Sequence, residues 1–227
     1  IKLGQFLATR PDVIGEELAR DLESLQDRLP PFPQAEAETA IAAMLGKPVA
    51  QAFPRVFAHF GPAVAAASIA QVHRAEVARD GARETVAVKV LRPNVRKRFA
   101  ADINAMAFAA NLAERLVPAT RRLRPVAAVR DFARVVVMET DLRMEAAALS
   151  ELAENTKDDP GLRVPRVDWE LTGRDVLTTE WIEGIPLSNL DAIKAAGHDP
   201  RALSELVMRA FLRLALRDGF FHADMHP

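Results

Sequence analysis

The chain predicts an α+β fold in which a short antiparallel sheet is set among helices. Three observations lead there: apolar residues recur at three- and four-residue spacing over long stretches, strand-like runs rich in β-branched residues cluster between 51 and 92, and a further strand pair follows near 166–181. Residues 1–29 form the first helical pattern. Pro11-Asp12 gives a start, Ile14, Leu18, Leu22, Leu25 and Leu29 mark the apolar face, and Pro30-Pro31-Phe32-Pro33 ends the run. A second helix spans Gln34 to Leu45 and closes at Gly46 and Pro48. Phe53 to Phe60, Ile69 to Val77 and Thr85 to Leu91 read as strands, with Arg79-Asp80-Gly81 turning the last two into a hairpin. Helices are expected at Val95 to Leu116 and, unbroken, at Val129 to Glu154. Strands follow at Arg166 to Leu171 and Asp175 to Trp181, joined by Thr172-Gly173-Arg174. Beyond Gly184-Ile185-Pro186 the pattern is helical again, best formed from Arg201 to Arg217, before a break at Gly219.

Composition narrows the function classes. With 49% hydrophobic residues the chain can bury a core, and a formal net charge of −1 with the two signs well mixed leaves no field that would favour nucleic acid. The absence of cysteine rules out disulfides, thiolate nucleophiles and Cys-ligated zinc. The longest apolar stretches are short and interrupted by charge, so no segment reads as a bilayer span, and the start carries no export signal. A chain that begins at Ile1 and ends within a motif reads as a fragment cut at both ends.

Three features carry chemistry. The last residues, Gly219 to Pro227, break an apolar run into His222-Ala223-Asp224-Met225-His226-Pro227 and place a carboxylate between two imidazoles on a short loop. The residues alone leave three readings open: an acid/base site, a metal site built on His222, Asp224 and His226, or a solvated loop. The second feature is Val86-Ala87-Val88-Lys89-Val90, one lysine in a β-branched strand, whose ammonium faces either solvent or a cleft. Ahead of it runs Ala65-Ala66-Ala67-Ser68-Ile69-Ala70-Gln71, whose small side chains either serve packing, the commoner use of an alanine run, or permit close approach of a ligand to the backbone. The third is the helical stretch Met138 to Ala146. At about 100° per residue, Val135, Met138, Leu142, Leu149 and Leu152 share an arc that also contains Glu145, so this carboxylate is expected in an apolar seam where it needs a cation. Lys89 is the candidate partner. Asp141 lies a turn earlier on the same side, whereas Glu139 leaves the opposite edge.

Taken in order, Lys2-Leu3-Gly4-Gln5, the alanine-rich loop, Val-Ala-Val-Lys, Glu-x-Asp-x-x-x-Glu, Thr-Thr-Glu-Trp-Ile-Glu-Gly and His-x-Asp-x-His-Pro resemble the UbiB family of atypical protein-kinase-like proteins, associated with ubiquinone (coenzyme Q) biosynthesis. The resemblance covers essentially the whole chain. It implies a protein-kinase-like fold with a helical N-terminal extension over 1–50, an N-lobe over 51–182 and the start of a truncated C-lobe over 183–227. It also implies ATP or ADP as ligand. Lys89 would bind the α- and β-phosphates and pair with Glu145, and Ala65, Ala66, Ala67 and Ser68 would replace the kinase glycine-rich loop. Thr179 would be the gatekeeper, with Glu180, Trp181 and Ile182 as the hinge that meets adenine. Lys2 would reach Glu139, with Gln5 and Asp141 nearby, and the extension would exclude protein substrates in favour of a small or lipid-linked one. Asp224 would orient or deprotonate the attacking group.

The family's Mg²⁺ ligands fall beyond Pro227, so none is expected within this chain, and the piece by itself is expected to be inactive. The last helix is expected to show apolar surface that a complete C-lobe would cover. The implied partners are a nucleotide, a lipid or quinone-precursor ligand and other ubiquinone-biosynthesis proteins, with a cytoplasmic or membrane-face location. Two other functions fit parts of the pattern: a nucleotide-sensing or lipid-binding regulatory pseudokinase, and a small-molecule phosphotransferase of the aminoglycoside or choline type. The second shares the His-x-Asp loop but is not expected to carry Lys2-x-Gly4-Gln5 or the alanine loop.

Overall fold

The computed structural model describes residues 15–16, 30–53, 56–79 and 81–221. The helix expected before Pro30, with Lys2 and Gln5, lies almost wholly outside the described residues, as does the loop of His222, Asp224 and His226. From Pro30 on, the elements are α1 (Gln34–Leu45), α2 (Val49–Ala52), β1 (Phe57–Ala66), β2 (Ala70–Arg79), β3 (Ala82–Leu91), α3 (Val95–Leu116), α4 (Pro125–Glu139), α5 (Leu142–Thr156), β4 (Val176–Glu180), α6 (Leu190–Ala195) and α7 (Pro200–Arg213). Short 3₁₀ turns span Pro118–Leu123 and Trp169–Leu171, and a π-helical turn, Leu214–Asp218, extends α7. Among the described residues no helix is long and apolar enough to cross a membrane.

The four strands form one antiparallel sheet in the order β1-β2-β3-β4. Its two faces have different covers because strand residues alternate. Phe57, Ala75, Val77, Val86, Val88, Val90 and Val176 pack with Ala37 and Ile41 of α1 into one core. A second cluster joins Leu142 and Ala146 of α5 to Ile69, Ala70, Leu91, Val95, Val167 and Leu177. The sheet therefore lies between α1 and α5, and α5 covers the face that carries Lys89.

Two polar side chains lie deep in the first core. His73 is fully buried and stacks on Phe60 with ring centroids 4.4 Å apart. Its Nδ1 is 2.9 Å from the Gly61 carbonyl and its Nε2 is 2.9 Å from the Gln71 amide nitrogen. An Nδ1–H tautomer satisfies both, since the carbonyl can only accept and the amide nitrogen can only donate. Gln71 Oε1 accepts from Phe32 N at 2.9 Å, so the network ties the segment ahead of α1 to β2.

Several sequence expectations are corrected. The single helix predicted from Val129 to Glu154 is two. Thr140 closes α4 by returning its hydroxyl to the Val136 carbonyl at 2.7 Å, and Asp141 starts α5 as its N-cap, accepting from Arg143 N at 3.2 Å. Met138 is consequently exposed rather than part of a continuous seam. Arg166 to Leu171 is not a strand. Val167 makes one isolated bridge to Thr179, after which Asp168 caps the 3₁₀ turn through Leu171 N and takes an ion pair from Arg79. The strand expected to begin at Phe53 begins at Phe57, whereas α2 runs to Ala52 and Phe53 lies in a turn. The helix predicted at Arg201 to Arg217 is α7 with its π-helical end, and Met208, Leu212 and Leu216 stand exposed along it.

Candidate active site

Strand register assembles the site. Ala65, Val72, Lys89 and Leu177 stand in one cross-strand row, and Arg74, Ala87 and Thr179 form the next. Directly paired residues share a sheet face, so Ala65, Lys89 and Thr179 address the side covered by α5. The chain reverses between β1 and β2 at Ala67 to Ile69, where Ala67 N donates to the Ala70 carbonyl at 2.8 Å. Arg92 Nε fastens the turn from beneath by donating to the Ala67 carbonyl at 2.9 Å.

Glu145 reaches this face from the first turn of α5. Lys89 Nζ lies 2.8 Å from each of its two carboxylate oxygens. The side chains are 31% and 43% exposed. Glu145 is thus the partner of Lys89, but not because it lies in an apolar seam: with α4 and α5 separate, the buried stripe of α5 runs through Leu142 and Ala146, and Glu145 faces the cleft. An ion pair this exposed contributes about 1 kcal/mol or less to stability.

Ser68 lies within the turn. Its Oγ is buried and finds no hydrogen-bond partner among the described residues, a state that costs about 1–3 kcal/mol unless something satisfies it. At the other side of the cleft, Trp181 Nε1 is likewise buried without a partner. Arg74 lies over that indole at 5.3 Å from its centroid, and the Trp181 amide donates to the Thr85 carbonyl at 3.3 Å. An ammonium and a turn of small residues suit the phosphates of a nucleotide.

The other predicted residues fall as follows. Glu180 ends β4, and its carboxylate takes Arg163 and the Arg166 amide, so its side chain anchors the 163–166 segment. Ile182 follows and is 40% exposed. Glu139 ends α4 at the surface. Asp141 accepts from Arg143 Nη2 at 2.6 Å and Nε at 2.9 Å, and the Arg143 guanidinium holds its carboxyl below the ordinary range. The proposed contacts of Lys2 and Gln5, and the position of Asp224, lie outside the described residues. Among the described residues no group of three His, Asp or Glu side chains could hold a metal ion.

Sequence reasoning missed Arg74, while it named Ser68 and Trp181 without showing that their donors are buried. Arg74 was legible in part: on β2 it shares the parity of Val72, opposite that of the buried Ala75 and Val77.

Comparison with known proteins agrees with this geometry. Residues 24–227 match the ABC1 atypical kinase-like domain. The chain is 40% identical over 228 residues to "Probable protein kinase UbiB" of Marinobacter nauticus, covering 100% of this chain and 40% of that protein. It is 41% identical to the proteins of the same name from Pseudomonas aeruginosa strain LESB58 and Shewanella frigidimarina, in each case over the whole chain and covering 42% and 40% of them. It therefore spans about two fifths of the length of these relatives. With an antiparallel sheet, a helix-borne glutamate on the strand lysine and a domain match over most of its length, the chain belongs to the UbiB family of ABC1 atypical kinase-like domains.

Proposed function

We propose that the chain supplies the nucleotide-binding half of an atypical kinase or ATPase that supports ubiquinone biosynthesis, with ATP or ADP and Mg²⁺ as its ligands. The observation that carries this reading is the Lys89–Glu145 pair, with both carboxylate oxygens 2.8 Å from one ammonium, on the same sheet as a turn whose Ser68 hydroxyl has no partner among the described residues. Its small stabilising effect leaves positioning as the reason for the pair. Glu145 fixes the direction of the Lys89 ammonium, which donates to the α- and β-phosphates. Ser68 Oγ donates to a phosphate oxygen, and Ala65 to Ala67 let the backbone approach. Thr179 and the backbone of Glu180 to Ile182 bound the base. Asp224 orients the attacking group and takes its proton.

Mg²⁺-nucleotide, when bound, brings the phosphoryl group and a metal that neutralises its developing charge. Relatives named as protein kinases support group transfer. The acceptor in this reading is a lipid-linked or quinone-precursor molecule, which places the work at or near a membrane alongside other proteins of that pathway.

The test is Mg²⁺-dependent release or transfer of the ATP γ-phosphate by the protein at the full length of its relatives, compared with Lys89→Ala and Asp224→Asn. Turnover that both substitutions abolish is expected. Nucleotide binding with no turnover would leave a nucleotide-sensing protein, and turnover insensitive to both substitutions would overturn the site.

A further inference from the structure

A charged cluster remote from the nucleotide cleft joins the two elements that the proposed reaction needs in register. Asp159 lies just beyond α5, the helix that carries Glu145, and its side chain is only 9% exposed. Arg217 lies in the π-helical turn that ends α7, seven positions before Asp224 in the sequence. Arg217 Nη1 and Nη2 donate to the two Asp159 carboxylate oxygens at 3.0 and 2.9 Å. Its Nε and Nη2 donate to Asp218 at 2.7 and 2.9 Å, and Nη2 also reaches the Asn155 carbonyl, in the last turn of α5, at 2.8 Å. Arg213 adds a contact to Asp159 at 3.2 Å. One planar guanidinium is thus engaged on every side, a geometry that a lysine cannot reproduce.

Packing fixes the same junction. Gly161 has φ +82°, and a Cβ there would come 2.6 Å from Leu206 Cδ1 of α7. The turn after α5 is therefore seated on α7 by close contact as well as by charge. At the other end of the cluster, Gly219 takes φ +64° and Phe220 N returns to the Leu214 carbonyl at 3.2 Å, so the π-helical turn closes tightly at its end. The Arg217 guanidinium holds the Asp159 and Asp218 carboxyls below their ordinary range, as a firmly made network requires.

We infer that Asp159, acting through Arg217, is a positioning residue that locks the helix bearing Glu145 to the turn ahead of the Asp224 loop. This rests on the proposed nucleotide turnover, which needs Lys89–Glu145 and Asp224 in register. Maintaining such a register matters because a misplacement of about 1 Å can cost about 100-fold in rate.

Asp159→Asn removes the charge with little change of shape, and Arg217→Lys keeps the charge but loses the fork. In the protein at the full length of its relatives, each is expected to lower kcat by about 10- to 100-fold while nucleotide affinity holds. Amide hydrogen exchange over 214–221 is expected to quicken, with β3 unchanged. Unaltered kcat, or binding and turnover lost in proportion, would overturn the inference. Asp159→Glu, which keeps the charge, is expected to recover part of kcat, and equal loss in Asp159→Glu and Asp159→Asn would also count against it. Should the parent bind nucleotide without turning it over, the reaction reading fails by itself. Exchange then decides the lock: faster exchange at 214–221 in Asp159→Asn sustains it and unchanged exchange refutes it.

Discussion

Replacing Ile41 by alanine isolates what α1 contributes. Ile41 is fully buried and packs with Ala37 against Phe57, Val77, Val86 and Val88 on the sheet face opposite Lys89. The substitution removes three carbons, worth about 2.4 kcal/mol at about 0.8 kcal/mol each. It also leaves a void between α1 and a sheet whose strands hold one another in place, so collapse is limited and a cavity term of about 1 kcal/mol is added. The expected loss is about 3–4 kcal/mol, read as a lower urea midpoint at constant m-value. Nucleotide affinity is expected to persist in the folded variant, because the cleft lies across the sheet. A loss below about 1 kcal/mol would show that α1 does not share this core and would refute the two-sided architecture.

Two other perturbations have defined outcomes. Gly161→Ala meets both a left-handed φ and the Leu206 contact at 2.6 Å, whereas Gly81→Ala meets a φ of +81° with open space around it. Thermal unfolding should therefore show Gly161→Ala as the more destabilising, with the strain common to both costing about 1–2 kcal/mol. Burial lowers the His73 pKa from its ordinary 6.5, opposed by the Gly61 hydrogen bond and the charge of Glu38. Below 6.5 the unfolded chain takes up a proton that the folded state refuses, so stability is fully present above that pH and is lost as pH falls through it. Chemical denaturation between pH 7 and 5 is expected to show a decline of at most about 1.4 kcal/mol per pH unit from this group. His73→Gln should flatten that slope, and an unchanged slope would locate the proton uptake elsewhere.

Much of the fold was legible because its boundaries carry strong local signals. Pro33 before α1 and Gly46 after it, and the left-handed Asn94 ahead of α3, punctuate those helices, and their predicted ranges match the structure. The break at Thr140-Asp141 was hidden by apolar residues that continue the helical period on both sides, although Asp141 is a good N-cap type. Arg166 to Leu171 looked like a strand by composition, but the pairing of Asp168 with Arg79, 89 positions away in sequence, bends it into a turn. The lysine of the site was visible as a lone charge in a β-branched strand. Its pairing with Glu145 was anticipated for a different reason from the one the structure gives. Sequence period could not reveal Asp159–Arg217 or the buried Gln71–His73 pair, since such polar contacts are fixed by the packing of distant elements.

The central claim is that the cleft between the Ala65–Ser68 turn and Lys89 takes a nucleotide. Calorimetric titration of the protein with Mg²⁺-ATP, alongside Lys89→Ala, tests it most directly. Binding by the parent is expected, with an affinity lower by about 10- to 100-fold in the variant, the worth of one charge-assisted hydrogen-bonding group to phosphate. Equal affinity in the two folded proteins, or no binding by either, would contradict it.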